Sequence, residues 1–238
     1  MNAFVPSAHA PLSPSSATRW INCPGSIEAS KGVPPAPSSP YADEGSRVHE
    51  AFARCLLEGR TAADVIADPY LAVPLQEALD HTRRIIAGRA VLIEQRLHPI
   101  DDMPEVWGTA DVLVFDPPRR LSAVIDLKFG SNILVEANAL QLGVYGLLGA
   151  RRFGLSQDGL TTWIVQPRCA HPEGPARSHH YDIPALRALL STLRAAAMAT
   201  RRQGAARIPG PWCRFCPAWP VCPERQAVPR TPSAFSHV

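Results

Sequence analysis

The chain has 238 residues, 46% of them hydrophobic and 19% charged, which excludes a disordered polymer and allows one sizeable core with a small appendage. No apolar run is long enough to span a bilayer, and Met1 to Pro14 has neither a basic start nor an apolar stretch, so no signal peptide is expected. The formal net charge of +3 selects no partner by itself, since a local basic groove can hide within such a total.

Residues 1–17 are rich in Pro, Ser and Ala and read as a flexible lead-in. A short segment over 18–30 holds Trp20 and Cys23, and the Pro/Ser run 31–41 reads as a loop. A helix is expected from Asp43, capped by Asp43 or Ser46. Val48, Phe52, Cys55 and Leu56 recur at helical spacing, His49 borders that face, and Gly59 marks the end. A second helix is expected over Leu71 to Gly88. The period then changes to two, with strands over Ala90 to His98, Val106 to Phe115 and Leu121 to Phe129. Their short links suggest an antiparallel meander. A helix over Glu136 to Ala150, a strand over Thr161 to Gln166 and a long helix over Ile183 to Arg202 follow. A cysteine-rich segment, 212–223, closes the ordered part, and 226–238 reads as a tail. The fold class is α/β, with a central sheet inside a helical wrapper and one domain over 18–225.

The chemistry is concentrated in GTAD (108–111) and AVIDLKFG (123–130). Side chains two apart on a strand share a face, so Asp126 and Lys128 point the same way, with Asp111 on the neighbouring strand. A carboxylate from each of two adjacent strands can hold a cation of the Mg²⁺ or Mn²⁺ type. Such an ion polarises a phosphodiester and lowers the pKa of a bound water. Lys128 would orient the attacking water, and it is notable as one of only two lysines among 24 basic residues. Gly108 allows a close approach to the strand. The apolar runs beside Asp111 and Asp126 mark interior strands, where charged groups need a partner or a metal. Gln141 and Tyr145, one helical turn apart, share a face. Glu94 stands open between an acid supporting the metal ligands and a surface residue.

From His49 to Tyr145 the chain resembles the RecB-family nuclease domain and PD-(D/E)XK nucleases generally. In that family a helical His precedes an Asp after Gly, an acid-x-Lys on the next strand, and Q-x-x-x-Y on a helix. The matching residues are His49, Asp111, Asp126 with Lys128, and Gln141 with Tyr145. The resemblance implies a restriction-endonuclease-like core over about 43–168, with metal contacts from His49, Asp111, Asp126 and the Leu127 carbonyl. It also implies that Asp111, Asp126 and Lys128 are catalytic and that Gln141 and Tyr145 contact the substrate strand.

Cys213, Cys216 and Cys222 form C-x2-C-x5-C, a chelating pattern that needs a fourth ligand. A cytoplasmic protein disfavours disulfides. Cys55 lies on an apolar helix face, Cys169 follows a strand, and Cys23 is followed by Pro, as are Cys216 and Cys222. The arrangement resembles cluster-bearing RecB-like nucleases of the AddB and CRISPR-adaptation types, in which one Cys precedes the core and three follow. That resemblance implies a [4Fe–4S] cluster on Cys23, Cys213, Cys216 and Cys222, tying segments 18–30 and 205–225 together; zinc is the alternative. The layout also resembles a phage and prophage branch of the superfamily.

The function implied is metal-dependent cleavage of DNA, as an exonuclease or end-processing enzyme in phage or bacterial recombination, repair or processing. The implied partners are DNA and recombination proteins, with no membrane. The alternative is a non-catalytic nucleic-acid-binding or scaffold protein keeping a structural cluster or zinc site.

Overall fold

Two unbroken apolar runs, Val112–Phe115 and Ala123–Ile125, dictate a sheet covered on both faces, because alternate side chains of each run must be buried on opposite sides. A computed structural model has this architecture; it describes residues 10–34, 37, 39–131 and 133–226. The helices are α1 (Ala17–Asn22), α2 (Ser26–Ala29), α3 (Pro40–Glu58), α4 (Pro69–Ile86), α5 (Leu140–Phe153), α6 (Ile183–Thr200) and α7 (Pro223–Gln226). The strands are β1 (Ala90–Leu97), β2 (Gly108–Asp116), β3 (Arg120–Leu127), β4 (Leu160–Val165) and β5 (Ala176–Tyr181). They lie side by side in chain order.

The first three strands form the expected antiparallel meander. β4 then joins β3 in parallel, with α5 as the crossover, and β5 returns antiparallel to β4. The result is a mixed five-stranded sheet between helices. Leu113, Leu121 and Val124 pack beneath Val144 and Leu148 of α5, Leu193 of α6 and Trp20 of α1. On the other face Val112, Val114 and Ile125 pack against Val48 and Phe52 of α3 and Leu75 and Leu79 of α4. No helix among the described residues is long and apolar enough to cross a membrane.

Several boundaries differ from the sequence reading. α3 begins at Pro40, with Ser39 as its cap: the Ser39 hydroxyl accepts from the Ala42 amide at 3.2 Å. Neither Asp43 nor Ser46 is the cap, because proline suits the first helical position and serine the one before it. Gly59 ends α3 at φ 68°, as expected. α5 starts at Leu140 because the preceding carbonyls are taken by side chains: Thr162 donates to Ala137 O and Tyr181 to Asn138 O. The lead-in is structured from Ala10 onward, with Leu12 buried in the core. Its first nine residues, and the expected tail after Gln226, lie outside the described residues.

Candidate active site and cysteine cavity

The middle of β1 and β2 and the end of β3 lie side by side where α3 and α5 approach the sheet. Ile93 pairs with Val112 and Gln95 with Ala110, so Glu94 stands opposite Asp111. Val112 pairs with Ile125, and one further step along both strands sets Asp111 opposite Asp126. Three carboxylates thus occupy one row across three adjacent strands. There the β2–β3 ladder stops, and the Asp111 side chain replaces it: its Oδ2 accepts from the Leu127 amide at 2.8 Å. The N–H and C=O of one strand residue point the same way, so the Leu127 carbonyl also faces this gap.

His49 Nδ1 lies 3.4 Å from Asp111 Oδ2. His49, Glu94 and Asp111 each offer a ligand atom within 4.8 Å of the others, the one such His/Cys/Asp/Glu set among the described residues. Asp126 lies outside that set, and Glu94 lies within it. Asp126 is 2% exposed and sits between Lys128 and Gln141. Lys128 Nζ is 2.6 Å from Asp126 Oδ2, and Gln141 Nε2 donates to Asp126 Oδ1 at 2.9 Å. Lys128 Nζ also donates to Gln141 Oε1 at 3.0 Å. Asp126 Oδ2 nonetheless makes no hydrogen bond of good geometry, so a fully buried anionic oxygen has only the neighbouring ammonium for company. Tyr145, one turn after Gln141, is buried in the same group. Its ring and the ring of Pro14 would crowd any side chain at position 108, so Gly108 admits those two rings.

The charges disturb one another as their proximity requires. Glu94 is exposed as a residue, but partial desolvation of its carboxyl among its neighbours pushes it up to about 7, with Asp111 and Asp126 adding to the rise and His49 opposing it. Burial raises Asp126 against the pull of Lys128. Burial would lower His49, but its bond to Asp111 outweighs that and raises it. Burial and the nearby carboxylates hold the Tyr145 phenol well above its ordinary value. Glu94 also has a left-handed backbone, φ 48°, which costs a non-glycine residue roughly 1–3 kcal/mol. Hard oxygen donors with one imidazole suit a Mg²⁺- or Mn²⁺-type ion, and Asp126 Oδ2 meets the Lys128 ammonium as an ion pair without a well-aligned hydrogen bond.

The second constellation lies at the chain ends. Cys23, Cys213, Cys216 and Cys222 line one cavity, whereas Cys55 and Cys169 do not. Cys55 is buried, and its thiol donates to Thr61 O at 3.3 Å. Cys23 is brought to the cavity by Gly25, whose amide donates to Ala206 O at 2.8 Å. A Cβ on Gly25 would lie 2.3 Å from Ala205 O, so only glycine permits this approach. The Ile208 amide donates to Cys23 Sγ at 3.2 Å and the Gly210 amide to Cys213 Sγ at 3.4 Å. No three of these sulfurs lie within 4.8 Å of one another, so they do not close into a tight ligand set. Burial raises the Cys23 thiol above its ordinary value.

The sequence matches the profile of the family described as "Protein of unknown function (DUF2800)" over residues 9–67 and 63–231. The chain belongs to that family. Among solved structures it is similar to SSO0001, at 12% identity over 90% of this chain and 85% of that one, with a TM-score of 0.42.

Proposed function

We propose that this chain is a divalent-metal-dependent DNA nuclease of the PD-(D/E)XK, RecB-like type, built on a restriction-endonuclease-like core. One observation carries the reading: an imidazole, three carboxylates, an ammonium and a glutamine from five separate stretches of sequence converge where the β2–β3 ladder stops. A merely structural ion-pair network would not need a strained Glu94 or a buried, underbonded Asp126, both of which are costly.

His49, Glu94, Asp111, Asp126 and the Leu127 carbonyl would hold the cation. When bound, such an ion polarises a phosphodiester and lowers the pKa of a coordinated water. Lys128, next to Asp126, offsets the negative charge of the scissile phosphate and orients the water that attacks it. Gln141 fixes the Lys128 ammonium and the Asp126 carboxylate relative to each other. Tyr145 presents a neutral phenol beside them, a donor for a phosphate oxygen of the substrate strand.

The four cysteines that line one cavity would hold a [4Fe–4S] cluster, the group that the resemblance to cluster-bearing RecB-like nucleases implies, with zinc as the alternative. Backbone amides aimed at Cys23 and Cys213 favour thiolates. The cluster fastens the two ends of the chain. The enzyme acts on DNA in recombination, repair or end-processing in the cytoplasm.

The test is cleavage of end-labelled linear and circular DNA with Mn²⁺ or Mg²⁺. Wild type should cleave, EDTA should stop it, and Asp126→Ala and Lys128→Ala should abolish it while the thermal midpoint changes little. Equal collapse of folding in both variants would assign these residues to structure, and DNA binding without cleavage by wild type would favour a non-catalytic module.

A further inference from the structure

Lys128 and Gln141 touch across 3.0 Å, yet a loop separates them in sequence, running from the end of β3 to the start of α5. Among its described residues that loop has no strand or helix of its own to hold it. Its polar backbone groups are instead held by side chains from β4, β5 and the residue just after β4. Gln166 is 1% exposed and donates to Gly130 O at 3.2 Å and to Ile133 O at 2.7 Å. Its Oε1 accepts from the Val135 amide at 3.1 Å. Arg177, from β5, is 2% exposed and donates to Val135 O at 2.7 Å, Gln166 Oε1 at 3.0 Å and Gly174 O at 3.2 Å. Thr162 and Tyr181 take the carbonyls of Ala137 and Asn138 at 2.6 and 3.0 Å.

Arg177 is the unusual member. All of its acceptors are neutral, no carboxylate pairs with it, and its Nε is buried without a partner. Burying a guanidinium without a counter-charge is costly, and an apolar side chain would pack β5 as well. What an apolar side chain cannot do is hold the Val135 carbonyl and the Gln166 amide at once. We propose that Arg177, acting through Gln166, is a positioning residue of the nuclease site: it holds the backbone at Gly130, Ile133 and Val135 so that Lys128 and Gln141 meet over Asp126. This inference rests on the nuclease reading above.

A double-mutant cycle tests it, with end-labelled linear DNA and Mn²⁺. Arg177→Met should lower kcat at least tenfold with KM and the Mn²⁺ Kd little changed. In a Gln141→Ala background the same substitution should lower kcat less than threefold further, because the contact it positions is already gone. Tyr181→Phe, which releases only the Asn138 carbonyl, supplies a milder probe if Arg177→Met folds poorly; its smaller loss should likewise vanish in the Gln141→Ala background. Arg177→Lys, which keeps the charge and one donor, should recover part of the rate. Losses that multiply in full with Gln141→Ala, or an unchanged kcat in folded Arg177→Met, would overturn the proposal. Absence of cleavage by wild type would instead sink the underlying nuclease reading.

Discussion

Glu94, Asp111 and Asp126 stand in one row across three strands, and like charges so placed repel unless protons or a cation intervene. Glu94, pushed up to about 7, and His49, also raised, hold protons that a ligand atom must give up. Metal binding therefore competes with protons. Through Glu94, affinity for Mn²⁺ should fall by about tenfold per pH unit below about pH 7, and protonation of His49 weakens it further in the same direction. Calorimetric titration at pH 6 and pH 8 checks this; equal Kd values would remove Glu94 and His49 from the ligand set. His49, Asp111, Asp126 and Lys128 are singled out in the sequence by the order and spacing of their motifs and by the family resemblance. Glu94 stays open there between an acid supporting the metal ligands and a surface residue, because its place opposite Asp111 depends on a cross-strand register that no local pattern reveals.

The helix that carries Gln141 and Tyr145 approaches the sheet and α6 closely because glycines recur along it. A Cβ on Gly146 would fall 2.0 Å from Leu160 Cδ2, one on Gly149 2.7 Å from Leu121 Cδ2, and one on Gly143 2.6 Å from Leu189 Cδ2. Overfilling such contacts costs about 1–3 kcal/mol. Gly146→Ala should therefore lower the thermal midpoint by roughly 2–4 °C per kcal/mol lost, and calorimetry reads it directly; an unchanged midpoint would mean that α5 is not seated by these contacts. At this scale the long periodic helices and the first four strands were readable from hydrophobic spacing. β5 was not, because Ala176-Arg-Ser-His-His-Tyr181 lacks apolar alternation; it is a strand through its pairing with β4 and the bonds of Arg177. The onset of α5 was misjudged for a related reason, as Thr162 and Tyr181 claim the carbonyls before it.

Across the whole molecule, segments some 190 residues apart in sequence, near Cys23 and near Cys213, share one cavity. A cross-link there closes nearly the entire chain into one loop and removes much of the unfolded state's freedom. Anaerobically purified protein should be brown and contain about four irons per chain, the content of a [4Fe–4S] cluster. Cys213→Ser should bleach it and lower its stability; a colourless wild type with one zinc would reject iron. The pairing of Cys23 with the three late cysteines was suggested by sequence resemblance, whereas the means of joining them, Gly25 against Ala205 and Ala206, required coordinates. The claim on which everything else turns is chemical: Lys128 beside Asp126 serves phosphodiester cleavage. The most direct measurement compares wild type and Lys128→Ala on end-labelled linear DNA at matched Mn²⁺ occupancy. The variant should cleave at least a hundredfold more slowly with an unchanged Mn²⁺ Kd. Equal rates, or no cleavage by either protein, would contradict it.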